Sequence, residues 1–386
     1  MPSSDYSSGP IQGANDEPDN TKAQDFPFYD LSGTPEEIGL QYGQQAAEQI
    51  RTSISIYKTA FEQKGVTWER AREIAASFAP QIEAYNPAYL AEITKIAEGA
   101  ELPREDIIAI NARTEILYGQ RPQTSAGADT DPDGCTGAIA LPSATADSHM
   151  IHGQNWDWRD ECADSAVVLR ISPKGLPRML VFVEAGILAR CGMNSNGIAL
   201  TGNFLQTERD YGLPGVPVPF IRRSILSANS LAEATRVVFD SARAFSNNLM
   251  LSQKDGEAIN LEATPHEIFW IAPEDDLLVH ANHFISAAAK AKVKDVGLET
   301  NTDSLYRDRR VRAHLKAHAG ALTTEHFKEA FADRYGAPRA VCRSPISGPG
   351  GKSSSTVATI IMDTTAGKMW VAKRPYGPHR YTEYSL

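Results

Sequence analysis

The sequence predicts an α+β fold, and three observations carry the prediction. Helical periodicity fills the chain from Thr34 to about Leu117, short β-like runs take over after Gly134, and helical patterns return only in two blocks, at about 217–240 and 303–332. Helices first, strands next and helices grouped together describe stacked layers, whereas a doubly wound sheet would alternate the two. At 386 residues the chain holds one large or two ordinary domains, counting roughly 150 residues for each.

Residues 1 to about 25 are rich in Ser, Gly, Pro, Asn and Asp, and carry Asp5, Asp16, Glu17, Asp19 and Asp25 against Lys22. With almost nothing to bury, this stretch reads as a disordered acidic tail. Thr34, Pro35 and Glu37 then form an N-terminal capping box with proline at the first helical position. After it Ile38, Tyr42, Ala46, Ile50, Ile54, Tyr57 and Phe61 recur every three or four residues, one buried face of a single helix. Three shorter helices follow at Trp68 to Phe78, Pro87 to Ala97 and Pro103 to Leu117. This first third shows no strand of its own, so it is expected to cover sheets built by the rest. Tyr118 to Gly134 is a long polar loop, and beyond it come strands at 138–141, 166–171, 179–183, 197–201, 249–252, 258–262, 267–271 and 356–362.

Composition excludes several classes of function. Asp plus Glu number 48 against 38 Lys plus Arg, a net charge of −10, the wrong sign for tracking phosphates, so no nucleic-acid partner is expected. Hydrophobic residues at 42% and charged residues at 22% are ordinary globular values, and no apolar run approaches the ~18 residues of a membrane span. The opening residues lack the basic start and apolar stretch of a secretory signal and are acidic and Arg-free, unlike a transit peptide. A cytoplasmic location is expected, since Tyr384-Ser385-Leu386 resembles a peroxisomal address only loosely. Four cysteines, at 135, 162, 191 and 342, form no C-x-x-C pair and must be judged singly.

The sharpest chemical feature is Asp133-Gly134-Cys135-Thr136-Gly137, a cysteine where loop becomes strand. Most cysteines are buried packing residues, but Gly134 leaves the bond before this one unhindered. A thiol so placed can attack the preceding carbonyl, convert the peptide to a thioester and let water release a new amino terminus. An α-amino group titrates at about 7.7–8.0, so it can act as general base for the thiol of its own residue. Gly153-Gln154-Asn155-Trp156-Asp157 closes the next strand of a hairpin and returns beside the cysteine. There Asp157 can orient an ammonium, while Asn155 and Gln154 offer amide donors. His280-Ala281-Asn282-His283 follows a strand, where the Asn282 amide can donate to an oxyanion.

Taken in order, Asp133-Gly134-Cys135-Thr136, Gly153 to Asp157, Glu184-Ala185-Gly186, Asn194-Ser195-Asn196-Gly197, Leu261-Glu262, His280 to His283 and Val341-Cys342-Arg343 resemble the acyl-coenzyme A:6-aminopenicillanic acid acyltransferase family. That family belongs to the N-terminal nucleophile hydrolases, is also classed as peptidase family C45, and includes β-alanyl-dopamine hydrolase; the resemblance covers roughly residues 28 to 375. It implies a four-layer αββα sandwich, a single domain over 26–386, made as a precursor and self-cleaved into an α chain, 1–134, and a β chain, 135–386. By position Cys135 stands as nucleophile, Asp157 as its acidic partner and Asn282 as oxyanion donor. Thr136, Gly137, Asn155 and Thr264 stand as supporting or substrate-binding residues, Thr264 where the penicillin enzyme has a serine. One departure stands out: the family arginine that pairs with the aspartate follows a Lys-Ser pair, and here Lys352-Ser353 is followed by Ser354. Arg343 is the candidate replacement. With that cation missing from its usual place, hydrolysis of a small N-acyl amine or N-acyl amino acid is expected over penicillin-type acyl transfer. No cofactor is implied; a coenzyme A thioester would enter only as acyl donor.

Rival readings are a papain-like protease, with His280 or His283 activating an uncleaved Cys135, and an unprocessed binding protein. Gly348 to Ser353 fails as a phosphate loop because Ile346 stands where glycine is required and a β-branched run follows. His314 and His318 lack a third metal ligand and read as a solvated helix face, so no metal site is expected. Cys162, Cys191 and Cys342 read as packing, and Arg307-Asp308-Arg309-Arg310 as an exposed helix face.

Overall fold

The computed structural model describes residues 25–120, 134–347 and 353–386. The acidic tail up to residue 24, positions 121–133 of the polar loop and the glycine-rich 348–352 lie outside the described residues. Two sheets stack face to face. Among the described residues one has eight strands in the order β1-β4-β5-β6-β7-β8-β9-β10; the other has the path β11-β2-β3-β13-β14-β15, with β12 paired to β13. Helices α1 and α2 pack on the first sheet at β1, β4 and β5, and α7 and α8 pack on it at β6–β9. On the outer side of the second sheet α10 and α11 cover β11, β2, β3 and β13. The result is the four-layer αββα sandwich that the family resemblance implied.

The helices begin where the capping chemistry places them. Thr34 accepts from the Glu37 N–H while the Glu37 carboxylate accepts from the Thr34 N–H, opening α1 (Pro35–Gln45). The apolar period runs on unbroken past Ala46, yet the backbone turns there, so the expected single helix is two, with α2 at Ala47–Gln63. Helices α3 (Trp68–Tyr85), α4 (Pro87–Gly99), α5 (Arg104–Asn111) and α6 (Arg113–Tyr118) complete the first block. Among the described residues α1 and α4 approach closely enough that a Cβ on Gly43 would collide with the Ile96 carbonyl, and one on Gly99 with the Leu40 carbonyl.

The first third is not purely helical, which corrects the expectation. β1 (Phe28–Gly33) pairs parallel with β4 (Ala166–Pro173). Only Leu31 of its six residues is buried, so no alternation betrays it; backbone pairing and the Arg170–Asp30 ion pair hold it. Segments on either side of Gly134 therefore share one sheet.

β2 (Gly134–Ala140) and β3 (Ile151–Arg159) form the hairpin that positions the chemistry, with Cys135 opposite Trp156, Gly134 opposite Asp157 and Thr136 opposite Asn155. β11 (Leu277–His280) flanks β2 on one side, and β13 (Ser353–Asp363) flanks β3 on the other. Ile139, Met150, Met250, Ala258 and Leu278 fill part of the space between the sheets. Val311, Leu315, Phe327 and Phe331 seal α10 (Ser304–Lys316) and α11 (Thr324–Phe331) onto the outer face. β5 (Met179–Glu184), β6 (Cys191–Asn194), β7 (Ile198–Phe204), β8 (Asn247–Gln253), β9 (Glu257–Ala263) and β10 (Ile268–Ile271) complete the first sheet. β12 (Ile346–Ser347), β14 (Lys368–Lys373) and β15 (Thr382–Ser385) complete the second. Among the described residues the remaining α-helices are α7 (Val218–Leu226), α8 (Leu231–Asp240) and α9 (Ala287–Lys292). Among the described residues no helix is long and apolar enough to cross a membrane.

The α1–α4 contact gives a direct test. Gly43→Ala forces the Ile96 backbone away, and chemical denaturation should show a loss of about 1–3 kcal/mol; unchanged stability would mean the helices separate freely.

Candidate active site

Alternation along β2 and β3 sorts the site onto two faces. Cys135 and Trp156 face the other sheet, where Trp156 packs edge-on against Phe182. Gly134, Thr136, Asn155 and Asp157 face the outer helices. The thiol and Asp157 thus lie on opposite sides of the hairpin.

The edge of β2 at Cys135 is open because β11 ends at His280, opposite Gly137. Past that point side chains replace the strand. Asn282 Oδ1 accepts from the Cys135 N–H at 2.6 Å, while the Cys135 carbonyl accepts from Arg307 Nη1 at 2.7 Å and from Asn203 Nδ2 at 3.3 Å. Arg307 Nη2 also donates to Asn282 Oδ1 at 3.0 Å, and Asn282 Nδ2 donates to the Phe204 carbonyl at 3.0 Å. A donor at one end and an acceptor at the other fix the orientation of the Asn282 amide.

Behind the strand stands a buried ionic group. Arg343 Nε lies 3.2 Å from Asp157 Oδ2, and Arg343 also pairs with Asp303 and with Asn301 Oδ1. Arg307 Nε donates to Asp303 Oδ2 at 2.8 Å, and its Nη1 to Thr136 Oγ1 at 2.8 Å. The Thr356 hydroxyl donates to Asp157 Oδ1 at 2.6 Å and accepts from the Arg343 N–H at 2.8 Å. Burial pushes the Asp157 carboxyl up to about 7 against the pull of Arg343, Arg307 and Thr356. Burial also works against an ionised Asp303, but the two guanidinium groups outweigh it and hold its carboxyl below the usual range. Alternating cations and anions here satisfy one another where a lone buried charge would be costly.

The guanidinium of Arg343 presses on Gly134 so closely that any Cβ there would collide with Cζ, Nη1 and Nη2. Glycine at 134 is thus required by the arginine behind it. The cation beside Asp157 is Arg343, which comes from a segment of chain before β13.

The remaining sequence candidates are placed as follows. Asn155 donates to the Phe331 and Val341 carbonyls at 2.8 and 2.9 Å and accepts from Thr359, so it ties the outer layer to β3. At Gly137 a Cβ would collide with Met250 Sδ, which places it at the tight contact between sheets. Thr264 turns its hydroxyl onto the backbone of Glu267, at 3.0 Å to both N and O, which makes it the closure of a turn and does not bring it to the hairpin. Both His280 nitrogens are engaged, by Glu262 at 3.0 Å and the Ala281 carbonyl at 2.7 Å. His283 bonds Ser304 at 2.8 Å, and burial drives its ring down to about 4. The papain-like arrangement thus loses its orienting geometry.

Cys162, Cys191 and Cys342 are buried, and burial pushes the thiols of Cys191 and Cys342 up to about 11 and about 12. The charge run is corrected at its first member. Arg307 is fully buried and central to the site, whereas Arg309 and Arg310 are exposed. The Asp303–Arg307 pair at i, i+4 was the available signal. Arg190, Asn203 and Asn301 were also missed. Only Arg190 carried a hint, a lone charge inside the apolar run Ala185 to Cys191.

An αββα sandwich presenting a cysteine at the first residues of an inner strand defines the class. The family model for acyl-coenzyme A:6-aminopenicillanic acid acyl-transferase matches residues 144–374, more than half of the chain, and the protein belongs to that family. A relative from Emericella nidulans, acyl-coenzyme A:6-aminopenicillanic-acid-acyltransferase 40 kDa form, is 29% identical over 352 residues, 90% of this chain and 92% of that one. Among solved structures, a mutant of conjugated bile acid hydrolase from Clostridium perfringens aligns over 65% of this chain and 92% of its own at 15% identity, with a TM-score of 0.47. Penicillin V acylase from Agrobacterium tumefaciens covers 65% and 86% at 13% identity, TM-score 0.40. Both likenesses are too distant to bear on the reaction.

Two variants on one helix separate the ionic group from the surface. Arg307→Met strips Asp303 of a partner and should cost about 3–5 kcal/mol, while Arg309→Met should stay within about 0.5 kcal/mol; thermal melts of the two compare them directly.

Proposed function

We propose that the chain is a precursor that cleaves itself between Gly134 and Cys135, and that the new amino-terminal Cys135 then attacks the carbonyl of a small N-acyl amine or N-acyl amino acid. The observation that carries this reading is the 2.6 Å hydrogen bond from the Cys135 N–H to Asn282 Oδ1. The nitrogen that becomes the α-amine is already anchored beside its own thiol, with the Cys135 carbonyl fixed by Arg307. Such an amine titrates at about 7.7–8.0 and can take the thiol proton at neutral pH.

The Sγ–carbon bond forms and negative charge gathers on the substrate oxygen. One of the two Asn282 Nδ2 hydrogens is bonded to Phe204; the second serves the oxyanion. The α-ammonium returns its proton to the leaving amine as the carbon–nitrogen bond breaks, leaving a thioester on Cys135. Asp157 acts behind the strand, holding Arg343 under Gly134. In the hydrolytic reading water discharges the thioester to a carboxylic acid.

Acyl transfer is the second reading, and two observations favour it. Arg343 restores the cation beside Asp157, which removes the ground for expecting hydrolysis alone, and the Emericella nidulans relative is named as an acyltransferase. Here a coenzyme A thioester passes its acyl group to Cys135 with release of the coenzyme A thiol, and an amine then takes the acyl group as an amide and returns the Cys135 thiol. Coenzyme A is then a substrate, with no resident cofactor required. A cytoplasmic location accompanies both readings.

Purified wild type should resolve on a denaturing gel into fragments ending at Gly134 and starting at Cys135, while Cys135→Ala stays whole and inactive; an intact wild type, or activity in C135A, would overturn the reading. Gly134→Ala displaces Arg343 and should slow cleavage about a hundredfold, in line with the cost of small misplacements. Release of free acid from an amide library identifies hydrolysis; amide formation from coenzyme A thioesters without hydrolysis identifies transfer.

A further inference from the structure

The proposed self-cleavage poses a chemical problem that the mature reaction does not. Before the bond breaks, the Cys135 nitrogen is an amide and cannot act as base, so the thiol must be activated differently. Arg190 is placed to do so. Its Nη2 donates to Cys135 Sγ at 3.8 Å, and its guanidinium stacks on the Trp156 ring at 3.9 Å from the centroid. Trp156 is the cross-strand partner of Cys135, so the same pairing that sets the hairpin register sets the cation against the sulfur.

The charges around this contact leave Arg190 able to act on the thiol. Glu184 lies 3.9 Å from Arg190, but its carboxylate also holds Arg113 at 3.0 Å and accepts from the Tyr57 hydroxyl. Arg222 on α7 adds a second cation that feels both Arg190 and the Cys135 sulfur; burial, with the like charges of Arg190 and Arg113, lowers it to about 9. Arg343 faces the strand from behind, where Asp157 and Asp303 answer its charge. His280 of β11, on the same face as the thiol, is bonded to Glu262. Cations thus dominate the thiol's surroundings on its own face among the described residues. A buried guanidinium at hydrogen-bond distance stabilises a thiolate in the way that lowers reactive cysteines elsewhere.

Resting on the self-cleavage reading, we propose that Arg190 is a catalytic residue of the maturation step, stabilising the Cys135 thiolate in the precursor before an α-amine exists. The thiol proton passes to solvent and Sγ adds to the Gly134 carbonyl carbon. The carbon–nitrogen bond to Cys135 then breaks as the nitrogen gains a proton, giving a Gly134 thioester and a free α-amine. Water hydrolyses the thioester to the Gly134 carboxylate and returns the thiol. In the mature enzyme the α-amine shares the task, so dependence on Arg190 falls.

The test follows cleavage of freshly translated full-length chain across pH 6.5 to about 9.5. Arg190→Gln should cleave about ten- to a hundredfold more slowly than wild type near pH 7 and approach it above about pH 9, where an ordinary thiol ionises unaided. Arg190→Lys, which keeps the charge, should stay close to wild type at neutral pH. Cleavage of R190Q at the wild-type rate near pH 7 overturns the proposal. So does a defect that alkaline pH does not repair, which marks a packing role, and so does a lysine variant as slow as glutamine. If wild type itself never splits, the self-cleavage reading fails; if wild type and R190Q split alike, only the role of Arg190 does.

Discussion

The site depends on the buried quartet of Arg343, Asp157, Asp303 and Arg307 behind β2. These side chains are almost wholly out of water, and each carries a desolvation cost that only its opposite charges offset. Because Arg343 and Arg307 bridge β13's approach, α10 and the β2–β3 hairpin, the quartet fixes the outer helices and the strand end together. Its geometry reaches the chemistry through two backbone contacts, the close approach of Arg343 to Gly134 and the hydrogen bond of Arg307 to the Cys135 carbonyl. The position of Cys135 is therefore set from behind, by groups on the face of the strand opposite its side chain.

On the thiol's own face the logic differs. Arg190, stacked on Trp156 and answered only in part by Glu184, supplies an unevenly compensated charge next to Sγ. The quartet positions and the inner cation polarises, and the pleat of a single strand keeps the two apart. Asn282 continues the ladder where β11 stops, presenting its Oδ1 to the Cys135 nitrogen and to Arg307 of the quartet and its Nδ2 to the Phe204 carbonyl at the end of β7.

Much of this was readable from the sequence where the signal was local. The Thr34–Glu37 box, the hairpin returning Gly153 to Asp157 alongside Cys135 and the abrupt appearance of strands after the polar loop all depend on local sequence, although the pleat puts Asp157 opposite Gly134 and away from the thiol. Cys135 stood out because glycine precedes it at a loop-to-strand boundary. Arg343 was reached from a departure, the serine at 354. What stayed hidden was long-range. β1 buries one residue and is defined by backbone pairing more than a hundred positions away. Arg307 sits in a run of charges whose exposed members, Arg309 and Arg310, disguise it, and Asn203 looks like any polar strand end until the sheets face one another. Thr264 shows the converse: a motif position matched, while the side chain closes its own turn.

The central claim is that Cys135 carries the acyl group while its own α-amine is free. Brief incubation of the protein with a reactive N-acyl amide, acid quenching and peptide mass spectrometry test it directly. The expected result is an acyl mass on a peptide whose first residue is Cys135, released by neutral hydroxylamine as a thioester should be. An acyl group on any other side chain, or acylated peptide still spanning Gly134 and Cys135, would contradict it.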